Sequence, residues 1–271
     1  MRIFAVKDEC DATEKILAWL IYYEIEKRFY IELPDDADLW DTPLLLSSFL
    51  KRGEHTLNSY WSKIWVRQRI VPQDRQNLGQ ILRDNGLEEY DEFKLLMLAK
   101  GRCSQDDYYL VPVLEEELPE YLKSRFAKKV EEVIPLVEKN LLVFFRDGLV
   151  KKCSLATLLE NDKSFAPLLY NDELFSSVCV QAGGYGVCWG ENLELADSIL
   201  YESGEVVPLS LEDFRSFVEN RVVNTVEASE LLECSRQNIE DLVRRGKLRP
   251  VRVTPKNKLF LKSEVARRKW R

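Results

Sequence analysis

The sequence predicts an α+β multidomain protein: a helical N-terminal domain, a small α+β domain with two hairpins, and a basic C-terminal module of short helices and a hairpin. Three observations predict it. Apolar residues recur at helical spacing in the first third. Strand–turn–strand patterns occupy the middle. The charge changes sign near residue 223. Residues 224–271 hold 13 Lys+Arg against 6 Asp+Glu, while the rest of the chain holds 26 against 40, so a net charge of −7 hides two bodies of opposite sign. Such asymmetry points to a module for a polyanion on a body that avoids one.

The predicted boundaries are 1–113 for the helical N-terminal domain, 114–139 for a connecting helix, 140–204 for the small α+β domain, 205–222 for a linker helix and 223–271 for the basic module. In "DATEKILAWLIYYEIEKRF", Ile16, Leu17, Leu20, Ile21 and Ile25 fall at helical spacing. "PQDRQNLGQILRDNG" and "LEEYDEFKLLMLAKG" read as short helices closing on glycine. Residues 115–139 are charged with a thin apolar stripe, and Pro135 breaks them. "LLVFFRDGLVKKCSL" is a hairpin turning at Asp147-Gly148, and Ser154 caps a short helix after it. "FSSVCVQAGGYGVCWG" is a second hairpin turning at Gly183-Gly184, and "NLELADSILYESG" a short helix.

The basic module has the most local signals. Asn224 stands three residues before Glu227, capping-box spacing. Ser235 caps a second helix, "RQNIEDLVRRG", which buries Ile239, Leu242 and Val243 and stops at Gly246. A strand, a turn at Pro255–Asn257 and a second strand follow, and Ser263 caps a last helix. Two short helices joined by a tight turn and followed by a hairpin make a winged helix-turn-helix. In that geometry the start of the second helix, Ser235, Arg236, Gln237 and Asn238, meets base edges in the major groove. Arg244, Arg245 and Lys247, with Arg252, Lys256 and Lys258 on the wing, neutralise phosphates.

"TVEASELLECSRQNIEDLVRRGKLRPVRV…KLFLKSEV" resembles the excisionase-type, MerR-like winged helix-turn-helix, which implies sequence-specific DNA binding. In the middle, "VFFRDGLVKKCSLATLL", "ELFSSVCVQAGGYGVCWG" and "LELADSILYE" resemble domain of unknown function 2442, a small α/β family without assigned catalysis. Residues 65–113 are similar to a segment near the N-terminus of HipA-like kinases through Arg69, Pro72, Arg75, Leu87, Ser104, Asp107 and Tyr109, with the kinase body absent. That resemblance implies an antitoxin design and a HipA-like kinase as partner.

The composition disfavours an enzyme. There is one histidine, His55, no phosphate loop and no C-x-x-C pair among Cys10, Cys103, Cys153, Cys179, Cys188 and Cys234. Neither a metal site, a cofactor nor a disulfide framework is expected, and the cysteines read as buried free thiols. No apolar run reaches the roughly 18–20 residues of a membrane span, and "MRIFAVKDEC" lacks signal-peptide layout, so a cytoplasmic location is expected. The function these features predict is a sequence-specific, homodimeric DNA-binding transcriptional regulator that autoregulates a toxin–antitoxin-like operon. The rival is an antitoxin or adaptor, a protein-interaction module with only loose nucleic-acid binding.

Overall fold

The first third of the chain forms a sheet where a helical domain is predicted. In the computed structural model, which describes residues 1–190 and 193–269, β1 (Arg2–Asp8), β2 (Ala18–Tyr23) and β3 (Arg28–Glu32) run as an antiparallel meander. After α1 (Leu44–Leu50), β4 (Thr56–Leu57) joins β3. After α2 (Ser59–Arg67), α3 (Leu78–Asp84) and α4 (Glu92–Leu98), β5 (Tyr108–Val113) joins β1, giving the order β4-β3-β2-β1-β5.

The physical reason is that both faces of this sheet are covered. Alternate residues Phe4, Val6, Leu20, Tyr22, Phe29 and Ile31 pack on one side with Leu46, Trp65 and Leu96 from α1, α2 and α4. The other set, Ile3, Ala5, Trp19, Ile21 and Tyr30, packs with Leu118, Leu122, Phe126 and Tyr185. A strand buried on two faces shows no polar alternation, so "AWLIYY" reads as a continuous apolar run and short-range periodicity cannot tell it from a helix. Ile25, which a helix would place beside Ile21 in the core, lies in the β2–β3 turn and is 93 % exposed. Each large apolar side chain so buried contributes about 1.5–3 kcal/mol, and the two-sided sheet buries more of them than one amphipathic helix would.

The predicted connecting helix over 114–139 is also corrected. Only α5 (Glu120–Ala127) is helical; β6 (Val130–Leu136) then pairs with β7 (Asn140–Phe145), Val133 opposite Val143. Pro135, read as a helix breaker, sits in an edge strand, where a missing N–H is tolerated. The Asp147-Gly148 hairpin is present: β8 (Val150–Ser154) lies beside β7 in a sheet ordered β12-β8-β7-β6. Ser154 occupies the cap position of α6 (Leu155–Asn161) without a side-chain cap bond. α7 (Pro167–Tyr170) and α8 (Asp172–Ser176) lead into β9 (Cys179–Val180) and β10 (Gly186–Trp189), the second hairpin. The segment read as one helix over 192–204 divides into β11 (Leu193–Ala196), paired with β10, and α9 (Asp197–Ser203), before β12 (Glu205–Val206).

The chain divides into two compact units, residues 1–147 with 151–205, and residues 148–150 with 206–271. Residues 1–113 and, apart from 148–150, residues 140–204 therefore share one unit. Tyr185 joins them, its ring stacked on Tyr30 at 3.8 Å between centroids. Gly184 allows this approach: its φ is +78°, and a Cβ there would stand 2.2 Å from the Val130 carbonyl oxygen.

In the second unit α10 (Leu211–Arg221) opens on a capping box between Ser210 and Asp213. β13 (Val222–Asn224), α11 (Thr225–Leu231), α12 (Arg236–Arg244), β14 (Arg252–Val253), β15 (Lys258–Leu261) and α13 (Lys262–Lys269) follow. The sheet order is β13-β15-β14, with Val223 opposite Phe260 and Arg252 opposite Leu259. Val223, Ala228, Ile239, Leu248, Phe260 and Val265 form its core. Ser263, predicted as a cap, falls inside the first turn of α13. Among the described residues the fold is thus mixed α/β, with four small antiparallel sheets and 13 α-helices, and the predicted helical N-terminal domain is replaced by a five-stranded sheet with helices packed on it. No helix among them is long and apolar enough to cross a membrane.

Candidate nucleic-acid interface

Local chemistry fixes the two helices that frame the site. The Asn224 side chain accepts from Val226 N and Glu227 N, and the Glu227 carboxylate accepts from Asn224 N at 2.7 Å, closing the start of α11. The chain leaves α11 through Glu233, whose φ of +52° lets Cys234 N reach the Ser229 carbonyl at 2.9 Å. Ser235 Oγ then accepts from Asn238 N at 3.2 Å and starts α12, a cap worth about 1 kcal/mol. Gly246, at φ +65°, ends it, with Lys247 N bonded to the Leu242 carbonyl at 2.8 Å.

With Ile239 buried and Leu242 and Val243 packed on the core, the opposite side of α12 is solvated. Arg236, Gln237, Glu240, Asp241 and Arg244 share that side and line one wall of a groove of about 790 Å³. The other wall is the β14–β15 hairpin, Thr254 to Lys258. Its turn is stiff: Thr254 N donates to the Asn257 carbonyl at 2.8 Å, and Asn257 N to Thr254 Oγ1 at 3.0 Å, leaving Pro255 and Lys256 at the tip. Thr225 Oγ1, 3.4 Å from both Asn257 Oδ1 and the Lys258 carbonyl, ties the hairpin to the start of α11.

The predicted site residues separate into two groups. Arg236, Gln237, Arg244, Lys256 and Lys258 line the groove together. Asn238, Arg245, Lys247 and Arg252 are exposed but outside its lining, and Ser235 acts as the cap behind Arg236. Sequence reasoning missed the two acids. Lys258 Nζ is bonded to Glu240, and Asp241 pairs with Arg244 and, at 2.7 Å, with Arg245 Nε. The helical spacing of Arg236, Glu240 and Arg244 was the available signal. Four cations and two anions line the groove, a positive balance with carboxylates held where a polyanion would lie. Glu240→Gln is therefore expected to free Lys258 for one more phosphate and steepen the log–log salt slope of duplex binding by about 0.9. An unchanged slope in a salt titration would contradict that role for Glu240.

The first unit holds a buried charged cluster. Lys129, 2 % exposed, places Nζ 3.1 Å from Asp197 Oδ2 and 3.3 Å from Glu32 Oε1, over the Tyr185 ring at 3.8 Å. Glu32 also accepts from Thr56 Oγ1 at 2.8 Å and Arg125 Nη1 at 3.1 Å. Burial pushes the Asp197 carboxyl up, an effect that Lys129 only partly offsets. His55 borders a cavity of about 310 Å³ beside this cluster, its Nδ1 3.1 Å from the Pro34 carbonyl. Lys129 and Asp197 also border that cavity. Trp189 and Tyr185 are core residues, 1 % and 4 % exposed.

A scan against family models and searches of curated proteins and of solved structures return no match to this chain.

Proposed function

We propose that this protein is a sequence-specific DNA-binding transcriptional regulator whose second unit acts as a winged helix-turn-helix. One observation carries the reading: exposed Arg236 and Gln237, on the outer side of a capped helix, share a groove with a basic hairpin tip. Arg can bond guanine O6/N7 and Gln adenine N6/N7 in the major groove. Lys256, at the tip, is suited to a flanking phosphate. The excess of 13 basic over 6 acidic residues in 224–271 supports the same polyanion. The reading extends to a homodimer on paired half-sites, to control of a toxin–antitoxin-like operon and to a HipA-like kinase partner. Half-site pairing is the usual route to specificity for a small helix-turn-helix. The operon and the partner rest on the resemblances of residues 65–113 and 141–204.

The test is selection of bound duplexes from a random pool by the intact chain, followed by sedimentation of the complex. An enriched sequence with inverted half-sites and two chains per duplex is expected. Recovery of unenriched pool would refute sequence reading, and one chain per duplex would refute the dimer. On the selected duplex, Arg236→Ala or Gln237→Ala should cost about 1–3 kcal/mol, with little loss on random DNA. Lys256→Ala should weaken both equally and reduce the salt slope by about one. Equal losses on both duplexes for the 236 and 237 variants would place these side chains on phosphate, not on bases.

A further inference from the structure

Cys179 and Cys188 have no motif spacing, yet strand register sets them face to face. They are direct partners across β9 and β10, and their Sγ atoms lie 3.2 Å apart. Direct antiparallel partners stand about 4.5–5.5 Å apart at Cα, within the roughly 4.4–6.8 Å that a disulfide spans. The neighbours Val187 and Trp189 point into the core, so Cys188 points outward, while Cys179 is exposed. The expectation of scattered, buried thiols fails here.

The surroundings are mixed in charge. Cys188 borders a cavity of about 550 Å³ that also presents Glu26, Arg28, Tyr30, Gln181 and Glu194. Arg28 is exposed and positioned to meet a carboxylate. Glu194 is the cross-strand partner of Cys188 on its other side. Burial, the bond with Cys179 and the charge of Glu194 push the Cys188 thiol up, and Cys179, the more exposed of the two, is the first nucleophile. The remaining four cysteines are placed differently: Cys10 bonds Asp107, Cys103 accepts from Arg69, Cys153 is buried against the Leu200 carbonyl, and Cys234 packs on the core of the second unit.

We propose that Cys179 and Cys188 form a dithiol site that exchanges with low-molecular-weight disulfides and closes reversibly into a cross-strand disulfide. The Cys179 thiolate attacks one sulfur of the disulfide RSSR; that S–S bond breaks, a mixed disulfide forms on Cys179, and one RS⁻ leaves. Cys188 then loses its proton to water and attacks the Cys179 sulfur, releasing the second RS⁻. Two protein thiols are oxidised, RSSR is reduced to two RSH, and the two protons lost by the cysteines balance those the released thiolates take up.

The test uses the intact chain, oxidised glutathione as probe, alkylation of remaining thiols, and peptide mapping without reductant. The expected product is a single Cys179–Cys188 crosslink, lighter by two hydrogens and reversed by dithiothreitol. In Cys188→Ser the glutathione adduct should persist on Cys179; in Cys179→Ser position 188 should stay unmodified. Arg28→Ala should slow closure by oxidised glutathione and leave closure by the neutral hydroxyethyl disulfide unchanged. Stable separate adducts on both cysteines, no reaction at either, or crosslinks involving Cys10 or Cys103 would overturn the proposal. An equal effect of Arg28→Ala on both probes would show that Arg28 does not meet the carboxylate of glutathione.

Discussion

Lys129→Met is expected to destabilise the protein by about 3–5 kcal/mol, the usual cost of removing one member of a buried ion pair. Lys129 is 2 % exposed and faces two carboxylates, Glu32 at 0 % and Asp197 at 11 % side-chain exposure. Glu32 keeps Arg125 and Thr56 when the lysine goes. Asp197 loses its cation and must either stay charged in a dry site or take up a proton. Its folded-state carboxyl already titrates above the ordinary range, for burial outweighs Lys129. A raised carboxyl binds its proton more tightly folded than unfolded. Its penalty is therefore absent below the unfolded value near 3.9 and complete above the folded one. Lys129→Met should consequently be closest to wild type in acid and furthest from it at neutral pH. Adding Asp197→Asn should recover part of the loss. Urea unfolding at several pH values measures this. A loss under about 1 kcal/mol at neutral pH would show that the cluster is solvated and does not join β3, α5 and α9.

Asp106→Ala should cost about 3 kcal/mol by stranding Arg69. The Arg69 side chain is 4 % exposed, stacks on Trp65 at 4.0 Å, and grips Asp106 with two parallel bonds, Nη1 to Oδ1 at 2.8 Å and Nη2 to Oδ2 at 2.6 Å. Burial pushes the Asp106 carboxyl up. The Arg69 bonds and charge, with a bond from Tyr108 N, outweigh it and hold the carboxyl below its usual range. The sign is opposite to that of Asp197: the stabilisation is present above the unfolded value near 3.9 and is lost as pH falls through the folded one. Wild type should thus lose stability on acidification in a window that Asp106→Ala lacks. Chemical denaturation between pH 5 and 2 is the measurement, and parallel curves for the two proteins would contradict the pairing. Arg69 thereby has a structural task in fixing the end of α2 against the loop before β5.

What the sequence revealed depended on how local the signal was. The caps at Asn224 and Ser235, the stop at Gly246 and the turn before Lys258 involve residues within a few positions of one another, and all lie where expected. The front sheet was hidden because "AWLIYY" is buried on both faces by segments as distant as Leu96 and Tyr185, which no window around residue 20 contains. Pro135 misled for a related reason: a proline excludes a helix interior and a central strand but not an edge, and edge position is a property of the assembled sheet. The groove cations were legible from composition, whereas the carboxylates that answer them needed the pairing of Glu240 with Lys258 across 18 positions. Cys179 and Cys188 needed the register of a two-residue strand.

The measurement that most directly tests the central claim is a salt titration of the intact chain on its selected duplex and on a scrambled one. Tighter binding to the selected duplex at every salt concentration is predicted. Both should show log–log slopes of about −3 or steeper, as expected when exposed Arg244, Lys247, Arg252 and Lys256 displace counterions. Equal affinity for the two duplexes, or no binding to either at the lowest salt, would contradict it.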